Sequence, residues 1–227
     1  MKRNRTVLCI GDTHLPFEHP EYLAFCKRIH KEFGCTDVVH IGDLVDLHSI
    51  SYHEHDPNGM SPEDEMKEAD KHLKEWFKAF PVVKLCRGNH DRLVDRKGKT
   101  AGLPSRAFRD FRDIWNLPKG WVDDFSFIID GVKYIHGTGY SGNFAHLKAA
   151  YDNRMSVVMG HLHSSCGIEY TANELDCVFG MQIGCGIDRK SYAFEYGRDC
   201  KKKPIISVGI VEYTKYGVNP RVFKMEL

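Results

Sequence analysis

The architecture of the chain can be inferred from residues 82–91, VVKLCRGNHD, in which an apolar β-type run gives way to a polar loop. Val82 to Cys86 is a predicted strand. Gly88-Asn89-His90-Asp91 follows it with side chains that bind metal ions or transfer protons. Four other polar clusters follow β-type runs in the same way: Asp12-Thr13-His14, Gly42-Asp43-Leu44-Val45-Asp46, Ile135-His136-Gly137 and Gly160-His161-Leu162-His163. Five polar clusters at five strand ends predict a single site.

The opening third of the chain indicates a strand, a helix and a second strand. Thr6 to Ile10 is an apolar, β-branched run, a helix is predicted from Pro20 to Gly34, and Asp37 to Ile41 is the next β-type run. Strands joined by a helix run parallel, so their carboxyl ends meet at one edge of the sheet. Ligand sites in open α/β sheets lie at that edge. We therefore expect Asp12 and Asp43 to lie together.

The rest of the sequence alternates helix and strand patterns before a β-rich C-terminal part. Ser61 and Pro62 are typical of a helix N-terminus, and Pro81 ends that helix. The basic stretch from Arg92 to Gly102 is expected to be a solvated loop, with phosphate binding as the alternative use of its cations. Other elements are predicted at 48–59 (loop), 105–117 (helix), 125–129 and 132–135 (a hairpin around Asp130-Gly131), 143–151 (helix), and 156–159, 168–172, 177–183, 204–213 and 218–225 (strands).

Length and composition favour one globular domain over residues 1–227. The contents of 42% hydrophobic and 28% charged residues are ordinary for such a domain. A net charge of +1 argues against a protein whose whole surface binds nucleic acid, although it leaves room for a local basic patch. The eight cysteines are scattered and are expected to be mostly buried thiols in a reducing compartment. No apolar stretch approaches the ~20 residues that span a bilayer, so we expect a cytoplasmic protein without a membrane partner.

The residue types in the five clusters suit the hydrolysis of a phosphoester. This reaction needs charge neutralised on the nonbridging oxygens, hydroxide generated near neutral pH and a leaving oxygen protonated. Two divalent metal ions ~3.5–4 Å apart can supply the first two needs, and a mixed shell of carboxylates and imidazoles suits such ions. Mn²⁺ is the expected metal, and Fe or Zn²⁺ would also suit these ligands. Each cluster alone is weak evidence, because a single histidine after a strand is more often a hydrogen-bonded core residue than a ligand.

Taken together, the ordered clusters between residues 11 and 163 resemble the five motifs of the calcineurin-like metallophosphoesterases. The resemblance implies an α/β fold, a four-layer αββα sandwich of two mixed β-sheets flanked by helices. It also implies two bound metal ions. The first ion would be held by Asp12, His14 and His163, the second by Asn89, His136 and His161, with Asp43 as the bridge between them.

The same resemblance implies catalytic roles for His90 and Asp46. His90 would protonate the leaving group without binding metal, and Asp46 would orient its ring, since a carboxylate favours imidazolium. Phosphoprotein phosphatases of this superfamily carry an arginine after the Asp46-like position, where this chain has Leu47. Arg92 could supply a guanidinium from another direction, and His48 is a second candidate for contact with substrate.

The leading hypothesis is a phosphodiesterase that acts on a nucleotide or a nucleic acid, because alkoxide leaving groups benefit most from a general acid such as His90. The alternative is a phosphomonoesterase of the same fold, acting on a small molecule or a phosphoprotein. A noncatalytic, metal-stabilised binding module is a third interpretation, which the presence of every motif position weakens. The sequence leaves the physiological substrate and the oligomeric state open.

Overall fold

The computed structural model describes residues 5–52, 58–190 and 202–226. The strands in these ranges are β1 (Arg5–Ile10), β2 (Asp37–His40), β3 (Val83–Cys86), β4 (Trp121–Asp124), β5 (Ser126–Ile129), β6 (Val132–Ile135), β7 (Ser156–Met159), β8 (Gly167–Ala172), β9 (Cys177–Gln182), β10 (Ser207–Thr214) and β11 (Gly217–Lys224). The α-helices are α1 (Tyr22–Glu32), α2 (Pro62–Ala79), α3 (Leu93–Thr100), α4 (Phe111–Ile114) and α5 (Ala145–Asn153).

The strands form two mixed sheets. The six-stranded sheet has the order β11-β10-β1-β2-β3-β4, in which β1 to β4 are parallel and β10 and β11 are antiparallel. The five-stranded sheet has the order β5-β6-β7-β9-β8, in which β6, β7 and β9 are parallel and the two edge strands are antiparallel. The predicted strand–helix–strand unit is confirmed, because β1 and β2 pair in parallel. Each sheet therefore brings the carboxyl ends of its parallel strands to one edge.

Three apolar layers hold the molecule together. Strand β1 shows how they are separated, because successive side chains of a strand point to opposite faces: Leu8 packs with the layer that contains α1 and α2, whereas Val7 packs between the two sheets. A third cluster, with Ala145 and Ala149 of α5, covers the other face of the five-stranded sheet. The order helix, sheet, sheet, helix confirms the predicted four-layer αββα sandwich.

Two local predictions of turn chemistry are confirmed. The Ser61 hydroxyl accepts a hydrogen bond from Asp64 N (3.2 Å) at the start of α2, as an N-cap residue does. Asp130 and Gly131 both have positive φ, 44° and 85°, between the paired strands β5 and β6. This is the backbone that a two-residue hairpin turn of type I′ requires.

The basic stretch after His90 is a helix, so the predicted loop was wrong. Leu93 and Gly98 of α3 are buried. A Cβ atom at Gly98 would lie 2.0 Å from the ring of Phe108, which shows that glycine allows this ring to pack directly on the helix. The contact between Phe108 and Gly98 is tertiary, and no apolar stripe in the sequence predicts it.

The predicted helix over 105–117 is interrupted. Ser105–Ala107 is a single 3₁₀ turn, Phe108 is extended, and only α4 is α-helical. The Asp110 side chain accepts a hydrogen bond from Arg112 N (3.0 Å) and so begins α4. Within the predicted 48–59 loop, His48–Ile50 forms another 3₁₀ turn.

Most of the cysteines fit the prediction of buried thiols. Five of the seven that the structure describes are buried, Cys166 is half-buried and Cys177 is exposed; none of the seven forms a disulfide. Cys200 lies outside the described residues, as do His53 and His55. The helices in the described ranges are all too short or too polar to cross a bilayer.

Candidate metal centre

The carboxyl ends of strands from both sheets converge on one site. Asp12, Asp43 and Asn89 follow β1, β2 and β3 of the six-stranded sheet. His136 and His161 follow β6 and β7 of the five-stranded sheet. The two sheets thus bring side chains from all five sequence clusters together.

Four of these side chains form a first ligand set. Asp12, His14, Asp43 and His163 each offer one ligand atom, and these atoms all lie within 4.8 Å of one another. His163 Nε2 is 3.1 Å from Asp12 Oδ2 and 3.1 Å from His14 Nε2. His14 Nε2 is in turn 3.5 Å from Asp43 Oδ2. The resemblance assigned these residues to the first ion and to the bridge.

Asp43, His136 and His161 form a second ligand set within the same limit of 4.8 Å. His136 Nε2 lies 3.2 Å from Asp43 Oδ2 and 3.2 Å from His161 Nδ1. Asn89 Oδ1 is 3.0 Å from His136 Nε2, which places this amide oxygen at the same set. The Asp43 carboxylate is therefore common to both sets.

Three of these residues have a left-handed backbone conformation, which sets the direction of their side chains. The φ angle is 50° at His14, 46° at Asp43 and 69° at His161. Such conformations cost non-glycine residues about 1–3 kcal/mol each and persist where the surrounding structure fixes them. Here His14 N donates to Asp43 O (2.9 Å) and Leu15 N donates to Leu44 O (3.0 Å), so the loops after β1 and β2 hold each other in place.

His90 lies beside the two ligand sets. Its main-chain N donates to Asp43 Oδ1 (2.8 Å), and its Nδ1 is 2.6 Å from the main-chain oxygen of Asp46. A carbonyl oxygen only accepts, so Nδ1 carries a proton and Nε2 is left for another partner. The His90 side chain is 17% exposed, against 1% for His14 and 2% for His136. Among these three rings, His90 is the most accessible from solvent.

The Asp46 carboxylate contacts His14 more closely than His90. Asp46 Oδ1 is 2.5 Å from His14 Nδ1 and 3.4 Å from His90 Nδ1. His14, Asp46 and His90 form a third compact group of possible ligand atoms. The short distances within it are those of hydrogen bonds from the two rings to Asp46. Asp46 therefore orients His14 with its carboxylate and His90 mainly with its carbonyl, whereas the resemblance implied a contact with His90 alone.

Arg92 and His48 lie near the site but outside these ligand groups. The Arg92 guanidinium lies over the Phe125 ring, 5.0 Å from its centroid. His48 is buried, and its main-chain N donates to Glu65 Oε1 (2.7 Å). Among the described residues, neither side chain belongs to a group that could hold a metal ion.

Neighbouring histidines keep the buried carboxyl groups ionised. Burial alone would raise the pKa of Asp43, but His136 and His90 outweigh this effect and hold the pKa well below its usual range. Burial likewise opposes ionisation of Asp12, and the nearby His136 and His163 lower its pKa overall. Both carboxylates are therefore anionic, the form that binds a cation.

The histidines divide by their surroundings, and His136 falls with His90 in the metal-free site, because the Asp43 and Asp12 carboxylates outweigh burial and raise its pKa to about 9. Burial lowers the pKa of His14 and of His161, which favours the neutral imidazole that binds metal. Burial also acts to lower the pKa of His90, but the carboxylates of Asp43 and Asp46 raise it above its ordinary value. The surroundings of His90 thus favour the protonated form.

Two buried acids for which the sequence predicted no role, Asp91 and Glu65, support the site. Asp91 Oδ1 accepts from Leu44 N (2.9 Å) and its Oδ2 from Gly88 N (2.8 Å), while burial raises the pKa of Asp91 to about 7. Glu65 accepts from the main chain of His48. The place of Asp91 directly after His90 was a usable signal. Glu65 gave none, since an acid in the first turn of a helix is ordinarily exposed.

The donor set fits divalent metal ions. Imidazole nitrogens with carboxylate and amide oxygens suit Mn²⁺, Fe and Zn²⁺. Metal–ligand bonds of about 2.0–2.2 Å place neighbouring donors about 3–3.5 Å apart, and the donor separations here are 3.0–3.5 Å. Asp12 Oδ1 is buried without a hydrogen-bond partner among the described residues. A cation would satisfy this orphaned acceptor.

Comparison with solved structures finds similar chains at low sequence identity. Vacuolar protein sorting 29 of Cryptosporidium parvum is 11% identical, with 99% of each chain covered and a TM-score of 0.48. The phosphoesterase Yfce of E. coli is 13% identical, with 92% of this chain and 91% of that one covered and a TM-score of 0.42. A metallophosphoesterase of Sphaerobacter thermophilus is 15% identical, with coverages of 98% and 88% and a TM-score of 0.45.

A search of curated protein sequences finds no match. The family model described as calcineurin-like phosphoesterase matches residues 5–183, which include every residue of both ligand sets and His90. The chain therefore belongs to the calcineurin-like phosphoesterase family.

Proposed function

We propose that this family member is a phosphodiesterase that binds two divalent cations and uses His90 as its general acid. The observation that carries the proposal is the shared position of Asp43, whose carboxylate belongs to both ligand sets and also accepts from His90 N. Bound there, two cations would neutralise charge on the nonbridging oxygens and lower the pKa of a water molecule. Mn²⁺ is the expected ion.

His90 has the properties that a proton donor needs. Its Nδ1 is engaged by the Asp46 carbonyl, so Nε2 is the nitrogen that can reach a leaving oxygen. In the metal-free site the Asp43 and Asp46 carboxylates raise its pKa against the effect of burial, and the Asp46 carboxylate stays 3.4 Å from Nδ1 when cations occupy Asp43. A positioned general acid typically contributes 10²- to 10⁴-fold to rate.

Charge at the site favours a diester over a monoester. A phosphomonoester carries close to two negative charges at neutral pH, because its second pKa is about 6, whereas a diester carries one. Phosphatases of this superfamily meet that demand with an arginine where this chain has Leu47, which is buried. The Arg92 guanidinium packs on Phe125. The ligand sets therefore have no guanidinium where those phosphatases place one, and the single negative charge of a diester needs less compensation than a dianion.

A cytoplasmic location is also part of the proposal. The described cysteines are free thiols, and most of them are buried. Free thiols without disulfides are typical of a reducing compartment.

The test compares bis(p-nitrophenyl) phosphate with p-nitrophenyl phosphate, using metal-stripped protein to which Mn²⁺ is restored. We expect metal-dependent turnover that favours the diester. Asp43→Asn should lose both metal equivalents, measured by mass spectrometry of bound metal. His90→Asn should keep both and lose at least about 10²-fold in turnover. His30→Asn, on α1, is the matched histidine control and should behave as wild type.

A second diester series separates an acid from a merely structural histidine. Diesters with poorer leaving groups than p-nitrophenolate need more help from an acid, so the loss caused by His90→Asn should grow as the leaving group becomes more basic. A loss of the same size for every leaving group would reject the acid role. Equal loss of metal in the His90 and Asp43 variants would make His90 a ligand, and preference for the monoester would make the protein a phosphatase.

A further inference from the structure

Positive charge is concentrated in the segment that leaves the candidate metal centre. Residues 87–114 contain eight Lys and Arg and four Asp, a net charge of +4. The whole chain carries +1, so the remaining residues sum to −3. One of the four acids, Asp91, is buried and accepts main-chain hydrogen bonds, which leaves the solvent-facing side of the segment more positive still.

The fold presents part of this charge on α3, which begins three residues after His90. Arg92 lies over the exposed ring of Phe125, with the guanidinium carbon 5.0 Å from the ring centroid. Arg96 and Lys97 lie over the ring of Tyr52 at 5.1 and 4.0 Å. We call Tyr52, Arg92, Arg96, Lys97 and Phe125 the α3 surface.

The cations of the α3 surface are available to a ligand. In the described part of the chain, Arg92, Arg96 and Lys97 have no carboxylate within ion-pair distance. Other cations of the segment are already engaged: Arg87 and Arg112 each lie 2.5 Å from Asp123. The three cations of the α3 surface therefore keep their charge free for an external anion.

The aromatic rings of the α3 surface are about half exposed to solvent and lie against neighbouring side chains. Tyr52 is 50% exposed and its hydroxyl lies 2.9 Å from the Thr100 hydroxyl, which fixes the ring against α3. Phe125 is 57% exposed. Exposed rings of this kind offer faces on which a planar heterocycle such as a nucleobase stacks.

A cleft connects this surface with the loop that carries His90. The cleft has a volume of about 370 Å³, and its lining includes Asp91, Arg92, Lys99, Phe108, Arg109 and Phe125. The Asp91 carboxylate accepts from Gly88 N and Leu44 N, so this end of the cleft borders the loops that carry Asn89 and Asp43. A strand held on the α3 surface would therefore lie beside the loop that carries His90.

We propose that the α3 surface binds a single strand of nucleic acid and leads it to the metal centre. The inference rests on the proposed phosphodiesterase function and names its substrate class. Proteins that bind single strands combine cations that follow the phosphate backbone with aromatic rings on which bases stack, and the α3 surface has both within a few residues. A duplex would offer its phosphates but would keep its base faces covered.

The experiment measures binding of a fluorescently labelled 20-residue oligothymidylate by anisotropy, with metal-loaded His90→Asn protein so that the strand is not consumed. In this background, Arg96→Gln combined with Lys97→Gln should weaken binding about tenfold at 0.1 M salt. Because each contacted phosphate contributes about 0.7 to the salt slope of single-strand binding, the slope of log Kd against log salt should fall by about 1.4. Tyr52→Leu should weaken binding about tenfold without changing the slope.

Two controls make the result specific. Lys27→Gln combined with Lys31→Gln removes the same charge from exposed positions of α1 and should leave both affinity and slope unchanged. In the otherwise wild-type enzyme, the Arg96 and Lys97 substitutions should lower kcat/KM for the oligonucleotide about tenfold more than kcat/KM for bis(p-nitrophenyl) phosphate.

The possible results separate this inference from the proposed function. Equal losses in the α1 and α3 variants, or equal affinity for the single strand and its duplex, would overturn the α3 surface while leaving a diesterase in place. Binding that depends on the α3 surface, in a protein that hydrolyses no diester, would support the surface and reject the proposed reaction.

Discussion

Substituting Gly88 by alanine tests whether the Asp43 carboxylate must lie where the structure places it. A Cβ atom at residue 88 would lie 2.0 Å from Asp43 Oδ1 and 2.4 Å from Asp43 N. The φ angle of Gly88 is outside the left-handed region, so its backbone accepts alanine. The effect of Gly88→Ala is therefore steric and is directed at the carboxylate that both ligand sets share.

The size of the effect follows from these distances. Cβ atoms essentially never approach another heavy atom within 3.0 Å, so the Asp43 carboxylate must move by about 1 Å and its main-chain N by about 0.6 Å. The loop has little freedom to yield, because Gly88 N donates to the buried Asp91 (2.8 Å). Overpacking of this kind costs about 1–3 kcal/mol of folding free energy. Displacement of a reacting group by 1 Å can cost about 10²-fold in rate.

We expect Gly88→Ala to fold, to bind metal with lower affinity and to lose about 10²-fold in kcat/KM for bis(p-nitrophenyl) phosphate. Urea unfolding, a metal titration by calorimetry and steady-state kinetics measure the three quantities. Gly167→Ala is the matched control, because a Cβ atom there has no neighbour within 4 Å. If Gly88→Ala bound two metal ions with wild-type affinity and turned over within twofold of wild type, the placement of Asp43 would be refuted.

Three further changes test other parts of the structure. Chelation should leave the protein folded and lower its Tm by about 11–22 °C relative to Mn²⁺ at 100 times its Kd, since each of the two bound ions adds about 2.7 kcal/mol. An unchanged Tm would mean that no ion binds. Burial lowers the pKa of His40 to about 3, so below pH 7 the unfolded state binds a proton that the folded state does not. Between pH 7 and pH 5 the free energy of unfolding of the chelated wild type should therefore fall by about 2 kcal/mol more than that of His40→Gln. Equal losses in urea unfolding would reject the buried, neutral His40. Trp121 is fully buried and its Nε1 donates to Phe80 O (2.8 Å). Trp121→Ala should therefore lower the free energy of unfolding by about 3–5 kcal/mol. A decrease below about 1 kcal/mol in urea unfolding would contradict that packing.

Elements with strong local signals were predictable from the sequence. Strand β1 is apolar from Val7 to Ile10 because both of its faces are buried there, one under the helices and one between the sheets. The N-terminus of α2 was predictable because Ser61 caps it directly. Since parallel strands align their carboxyl ends, the polar residues after them could be expected at one edge without knowledge of any side-chain contact.

Elements stabilised by distant contacts were not predictable. Strand β4 places Asp123 at a nearly buried position, where it holds Arg87 and Arg112. A carboxylate at an inward position hides the alternation that indicates a strand. Helix α3 depends on the ring of Phe108 packing on Gly98, and glycine inside a helix lowers its propensity. In both cases the deciding partner lies ten or more residues away in the sequence.

The side-chain directions at the site were also beyond the sequence, since they depend on three residues with left-handed backbone. What holds these residues is a chain of hydrogen bonds from one motif to another. Asp12 Oδ2 accepts from His161 N, and Asp43 Oδ1 accepts from His90 N, both at 2.8 Å. The carboxylates that would bind the cations therefore also tie the loops together.

This double use of the carboxylates has a consequence for how the site works. Asp12 and Asp43 each accept a main-chain N–H hydrogen bond with one carboxylate oxygen. The other oxygen of Asp12 is buried without a hydrogen-bond partner in the described part of the chain. The loops are thus positioned before any cation arrives, so binding free energy need not be spent on ordering them. Replacing Asp43 by asparagine keeps the oxygen that accepts from His90 N but removes the charge. Asp43→Asn should therefore keep the fold and the position of His90 while it loses metal affinity. A crystal structure of the variant soaked in Mn²⁺ would test this. Collapse of the Gly88–Asp91 loop in that structure would show that the cations, and not the hydrogen bonds, order the site.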